Sequence, residues 1–271
     1  MNFFAWLFKK HPKKPKLGIA LGSGGAKGYA SLGVLKAFEE NDIEFDVISG
    51  TSIGSIIGAF YSQGYSVTDI LELLKKIDFS EITNLLMIKM DTSGLYSVID
   101  RTIGSLNIEE LKKPFRAVAT DMDTGDEKVF DRGSVALALC ASSCYPPFFK
   151  PVVIDGKRYI DGAFSNSVPA DLLVQLGADY IVGVDLSNHN PKPSFVERIF
   201  PTYKGKIDRP WEKGYEYSNV VIHPDLTEYK PTSFSQGNKM FEIGYQTAME
   251  MMPKIKAEIQ GIKIKKHKKK K

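Results

Sequence analysis

Phe45-Asp46-Val47-Ile48-Ser49-Gly50-Thr51-Ser52-Ile53-Gly54-Ser55 decides how the rest of the chain is read. A short apolar run predicts a buried strand, and it ends in Gly50-x-Ser52-x-Gly54, a spacing that sets a serine on a tight strand-to-helix turn. Ser52 is therefore the candidate nucleophile. Gly50 and Gly54 form the elbow around it, because side chains there would clash with the neighbouring strand and helix or hide the hydroxyl. The pattern after the serine predicts a helix from Ile53 to about Gln63, whose positive end stabilises negative charge developing at Ser52. The same residues also fit a glycine-lined junction with a buried serine, so their neighbours must separate the two readings.

Upstream, Lys16–Leu21 predicts a strand, followed by Gly22-Ser23-Gly24-Gly25-Ala26-Lys27-Gly28 and a helical pattern through Leu32, Leu35 and Phe38. The glycine loop fails the dinucleotide fingerprint, since Lys27 stands at the third glycine position, and no Gly-Lys-Ser/Thr follows at P-loop spacing. No cofactor is expected there. Consecutive glycines before a helix instead leave adjacent backbone N–H groups uncovered, which suits an oxyanion hole with Gly24 and Gly25 as donors. Lys27 then either adds positive potential or holds the loop, with Gly28 supporting it.

Downstream, Val67–Lys76 predicts another helix, and the alternation of strands and helices predicts an α/β domain with a mainly parallel sheet. Residues 84–100 read as a mobile apolar flap or as core, with a turn at Thr92-Ser93-Gly94. Phe115–Thr120 and Lys128–Phe130 flank an acidic turn as a hairpin, Val135–Cys144 reads as a helix, and Leu172–Leu176 and Ile181–Val184 as a final helix and strand. Asn188–Ser218, rich in Pro, Lys and aromatics, has no clear period and is expected to form a substrate-access region near a membrane. Met240–Ile259 carries apolar residues at helical spacing and is expected to dock on the core.

A serine nucleophile needs a base, and histidine is scarce: His11 and His267 lie in basic ends, His189 heads the irregular segment, and His223 closes an apolar run and reads as a strand-end residue. A carboxylate is the better candidate. Asp155-Gly156 sits between two β runs, where a two-residue hairpin turn needs it. Asp161 follows the second run, Arg158-Tyr159-Ile160, and precedes Gly162-Ala163-Phe164 with no returning strand of matched length. It therefore stands at a strand end, where α/β folds gather functional side chains.

In this order the motifs resemble those of bacterial patatin-like phospholipases. Gly24-Gly25-Ala26-Lys27-Gly28 resembles that family's oxyanion motif, Gly50-Thr51-Ser52-Ile53-Gly54 its nucleophile elbow and Asp161-Gly162-Ala163 its dyad aspartate. Ala119-Thr120-Asp121 through Thr124-Gly125, and Ala141-Ser142-Ser143-Cys144-Tyr145-Pro146, also look like family segments, and the likeness covers roughly residues 17–190. The resemblance implies a three-layer α/β/α patatin-like fold, Ser–Asp catalysis without histidine, no metal, and hydrolysis of acyl esters in membrane lipids.

Composition frames this reading. The 271 residues, 43% hydrophobic and 25% charged, suit one large domain or two small ones with a proper buried core. Cys140 and Cys144 lie four apart without His or Cys partners nearby in sequence, so neither a disulfide framework nor a zinc site is suggested and a reducing compartment is expected. Seven lysines fall in residues 263–271 and five in 1–16; removing these twelve from the 36 basic residues leaves 24 against 32 acids. An acidic body with basic ends argues against a nucleic-acid face and for ends that visit an anionic membrane surface, although Lys263–Lys271 reads equally as a solvated, disordered tail. Three parts follow: an apolar and basic segment 1–16, a catalytic domain 17–262 and a Lys-rich tail 263–271. The first, opening with Phe3, Phe4, Trp6 and Phe8 before its lysines, reads as an interfacial anchor or as a strip packed on the domain itself. Its apolar run is too short for a signal sequence, so a cytoplasmic, peripheral location is expected.

Overall fold

The computed structural model describes residues 14–76, 92–146, 148–189 and 207–262. Residues 1–13 of the expected anchor, the Lys-rich tail, the flap residues before 92 and most of the irregular segment after 188 lie outside them.

Among the described residues eight strands form one sheet: β1 (Leu17–Leu21), β2 (Val47–Thr51), β3 (Phe115–Asp121), β4 (Glu127–Phe130), β5 (Val152–Ile154), β6 (Lys157–Asp161), β7 (Tyr180–Val184) and β8 (Val220–Ile222). Their order is β5-β6-β3-β2-β1-β7-β8, with β4 also paired to β3. The run from β3 through β2, β1 and β7 to β8 is parallel, and β4, β5 and β6 are antiparallel. The expected mainly parallel sheet is therefore present. β8 extends it beyond the strand that the sequence pattern placed last.

Side-chain alternation divides the core between the two faces of this sheet. On β1, Leu17, Ile19 and Leu21 enter the larger core, while Ala20 points to a smaller one with Val47, Val168, Leu173 and Ile181. Helices α1 (Gly28–Glu39), α2 (Ile53–Ser62) and α3 (Val67–Lys76) contribute to the larger core, together with α4 (Ser93–Ile103). Helix α5 (Val135–Ser143) packs Cys140 and Ala141 against Ala119 and Tyr159. Helix α6 (Asp171–Gln175) supplies Leu173 to the smaller core, which Trp211 also covers just before α7 (Glu212–Tyr217). Helices on both faces give the three-layer α/β/α arrangement.

Helix α8 (Gly237–Gly261) lies along α1. The approach is close enough that a Cβ on Gly33 would stand 2.0 Å from the Phe241 carbonyl oxygen. The Tyr245 hydroxyl donates to Glu40 at 2.7 Å, so this helix is docked on the core as expected.

Two local expectations need correction. Thr92-Ser93-Gly94 is not an isolated turn: it opens α4, whose Ile99 and Ile103 are buried at helical spacing. The irregular segment contains α7, with Gly214 buried against Val168. Both hairpins formed as read. Asp155 and Gly156 have φ of 51° and 76°, the left-handed pair that a two-residue turn requires.

Candidate active site

The register of the sheet explains how residues 52 and 161 meet. β2 pairs with β3 up to Thr51↔Val118, and β6 pairs with β3 from Ala119↔Asp161 onward. Because β4 occupies residues 117–120 of β3 from the other side, β2 and β6 share one edge. The end of β6 continues the line where β2 stops. Ser52, the next residue after β2, therefore faces Asp161, the last of β6.

Ser52 has φ 56° and ψ −127°, a left-handed conformation rare for a residue with a side chain. Strain of this kind costs about 1–3 kcal/mol and persists only where surroundings enforce it. Here they do. The Ser52 N–H donates to Ser142 Oγ at 2.8 Å, that hydroxyl donates to the Val118 carbonyl at 2.6 Å, and Ser55 Oγ donates to the Ser52 carbonyl at 2.7 Å. The flanking glycines are sterically required: a Cβ on Gly50 would lie 2.3 Å from the Gly54 carbonyl oxygen, and one on Gly54 would lie 2.1 Å from that of Leu21. The α2 N-terminus begins at the next residue, Ile53, so the helix dipole favours negative charge at Ser52.

The Ser52 hydroxyl donates to Asp161 Oδ2 at 2.6 Å, and the other carboxylate oxygen accepts the Ala163 N–H at 2.9 Å. Asp161 is 2% exposed. Burial pushes its carboxyl up to about 7, against the downward pull of the Ser52 and Ala163 hydrogen bonds. Thr120 Oγ1 donates to the Asp161 carbonyl at 2.9 Å and fixes the strand end. A serine hydroxyl held on a carboxylate that titrates near neutrality has the geometry for proton transfer on nucleophilic attack.

The glycine loop lies beside this pair, since Leu21 at the end of β1 is in register with Gly50. Its own bonds leave two donors over. The N–H groups of Gly22, Ser23 and Ala26 donate to Val184, Ser167 and Pro231, and that of Lys27 to Gly24. Those of Gly24 and Gly25 donate to nothing among the described residues. Gly25 has φ 56°, a conformation that turns the chain and suits a residue without a side chain. Gly28 is pressed on Ile53, where an added Cβ would meet Cγ1 at 2.3 Å, which ties the loop to the residue after Ser52. Lys27 is buried, with its ammonium 3.4 Å from the Leu186 carbonyl. Burial lowers its pKa against the opposing pull of Asp185 and Asp225. Its position favours loop support among the two roles open in the sequence.

Residues 19–174 match the patatin-like phospholipase family over more than half of the chain. The chain belongs to that family. An uncharacterised NTE family protein of Mycobacterium tuberculosis is 30% identical over 186 residues, covering 66% of this patatin-like chain and 51% of its own length. The neuropathy target esterase of Drosophila melanogaster is 30% identical over 230 residues, 78% of this chain and 15% of its own. The chain thus spans about half the length of its mycobacterial relatives and a smaller part of the fly protein. VipD from Legionella pneumophila shares the patatin-like fold, with a TM-score of 0.52 at 14% identity over 89% of this chain and 67% of that one.

Two features of this patatin-like chain were not predicted. Ser142 lies in the segment Ala141–Pro146 that resembles the family, but that resemblance gives it no role, and its contact with the Ser52 N–H arises from the seating of α5. His189 and His223 converge on the buried Asp185, and among the described residues neither is hydrogen-bonded to Ser52. His223 follows β8 directly, as its strand-end reading expected. Among the described residues no helix is long and apolar enough to cross a membrane.

Proposed function

We propose that this chain is a lipid acyl hydrolase working through a Ser52–Asp161 dyad. The observation that carries the reading is the 2.6 Å hydrogen bond from the Ser52 hydroxyl to a buried carboxylate that titrates near 7. Asp161 accepts the hydroxyl proton as Ser52 attacks the ester carbonyl. The developing oxyanion takes hydrogen bonds from the Gly24 and Gly25 N–H groups and sits in the field of the α2 N-terminus. Collapse of the tetrahedral intermediate expels the alcohol or lysolipid, which takes the proton back from Asp161. Water, deprotonated by the same carboxylate, then attacks the acyl-enzyme; release of the fatty acid restores Ser52. Lys27 and Gly28 hold the oxyanion loop, and Gly50 and Gly54 give the elbow its shape.

The lipid part of the proposal rests on membership of the patatin-like phospholipase family. Hydrolysis of a panel of phospholipid, lysophospholipid and neutral-lipid vesicles, run beside a water-soluble acyl ester, tests it. Turnover of one or more vesicles is expected; turnover of the soluble ester alone would make the chain a general carboxylesterase. In the same assay Ser52→Ala and Asp161→Asn are expected to lose at least about 10³-fold in kcat/KM, and Ser52→Ala to escape labelling by a fluorophosphonate probe. Wild-type turnover in either variant refutes the dyad. The asparagine variant isolates the proton step: its carbonyl can still accept the Ala163 N–H, but its amide then faces Ser52 as a donor and can no longer take the proton.

A further inference from the structure

A second polar cluster lies at the carboxyl ends of β7 and β8, behind the glycine loop. Asp185, the residue after β7, is 1% exposed at its side chain. Its Oδ1 accepts the Ser187 N–H at 2.9 Å, which leaves Oδ2 as the convergence point. His189 Nε2 stands 2.7 Å from that oxygen and His223 Nδ1 3.5 Å from it, and the three atoms all lie within 4.8 Å of one another. We propose that Asp185, His189 and His223 form a binding site for a divalent transition-metal cation of the zinc class, a function separate from the Ser52–Asp161 reading.

Three physical arguments support the assignment. The first is donor chemistry. Two imidazole nitrogens and one carboxylate oxygen suit zinc and its neighbours, whereas magnesium and calcium prefer all-oxygen sets. The second is spacing. Metal–ligand bonds of about 2.0–2.1 Å in a tetrahedral site put ligand atoms roughly 3.3 Å apart. The separations of 2.7 and 3.5 Å bracket that edge, so small rotations of two rings that are 36% and 39% exposed would close the site while leaving its outer corner open to water.

The third argument is the support behind the three side chains. Trp211 stacks on His189 with ring centroids 4.9 Å apart and planes 7° from parallel, and His189 packs on His223 at 4.8 Å. The Tyr215 hydroxyl donates to Asp185 Oδ2 at 3.1 Å. Partners that fix ring planes and orient a carboxylate are the usual surroundings of a metal site. The ends of parallel strands are also where an open α/β sheet places its ligands. Lys27 is the opposing charge nearby, but its ammonium is directed to the Leu186 carbonyl.

Binding would stiffen the 185–189 turn. That turn carries Leu186, whose Cβ would lie 3.0 Å from a Cβ added at Gly24. The site therefore abuts the loop proposed to hold the oxyanion.

The test is titration of the chelator-treated full chain with zinc chloride by calorimetry, with cobalt as a spectroscopic probe. One tight site per chain is expected, with visible ligand-field bands from bound cobalt and a zinc-dependent rise in Tm. His189→Ala and His223→Ala are each expected to weaken the site at least about tenfold and to abolish the cobalt bands. Both rings are partly exposed, so these variants should fold, which circular dichroism checks. His11→Ala/His267→Ala should bind zinc as the wild type does. The assignment is overturned if wild type takes up no zinc, if either single variant binds as tightly as wild type, or if the signal moves with His11 and His267.

Discussion

Asp161 and Asp185 are both buried at the ends of strands in one sheet, 2% and 1% exposed, yet their carboxyls move in opposite directions. Burial raises both. At Asp161 the counterweights among the described residues are a serine hydroxyl and one backbone N–H, so the carboxyl rises to about 7. At Asp185 burial is outweighed by hydrogen bonds from His223, His189 and Ser187, which hold the carboxyl far below the usual carboxylate range. Burial fixes the size of the problem and the neighbours decide its sign. A carboxylate near 7 can take a proton in turnover and give it back. One clamped by two histidines is a fixed negative charge.

Stability separates the two most widely. Asp161 titrates at about 7 when folded and near 3.8 unfolded, so its contribution is fully present below pH 3.8 and is lost as pH rises through 7. Asp161→Asn removes a buried charge and should stabilise the protein at pH 8 by up to on the order of 4 kcal/mol, a gain that fades towards pH 4. Thermal unfolding at both pH values reads this; an asparagine variant less stable than wild type at pH 8 would break the contrast. Asp185 has the opposite linkage, its stabilisation present above the ordinary carboxylate range and lost as pH falls. Asp185→Asn should therefore destabilise at neutral pH, by about 1–3 kcal/mol, between the values for an exposed and a fully buried pair because its histidines are half-exposed. Denaturant unfolding at pH 7 measures it, and no loss would mean that the histidines do not stabilise the charge.

The smallest effect concerns rate. With Asp161 as base, kcat/KM should fall about tenfold per pH unit below 7 and level off above it. A soluble ester assayed from pH 5 to 9 gives the profile, and a flat line down to pH 5 would remove Asp161 from the proton transfer.

What the sequence disclosed follows how local each feature is. The elbow was legible because its steric demands fall on Gly50 and Gly54, two residues either side of Ser52. Asp161 could be told from Asp155 by hairpin length alone, and the structure puts one at a strand end and the other in a turn. The Asp185 cluster was hidden for the opposite reason: its members are brought together by the β7–β8 register, and β8 has only three residues. Ser93-Gly94 misled because small residues suit both turns and helix starts; the deciding signal was the buried Ile99–Ile103 spacing further on.

The close seating of α8 on α1 bears on the order of assembly. Tyr245 bonds Glu40 across 205 positions, and the glycine loop is itself braced by Ala26 N–H donating to the Pro231 carbonyl at 2.7 Å. Contacts so distant in sequence form late, because the entropy of closing a long loop must be overcome before they contribute. On a ribosome the first strand–loop–helix unit would emerge long before its bracing does. A nascent chain would thus carry its serine and its aspartate while the glycine loop still lacked its brace, until the chain around Pro231 had folded back.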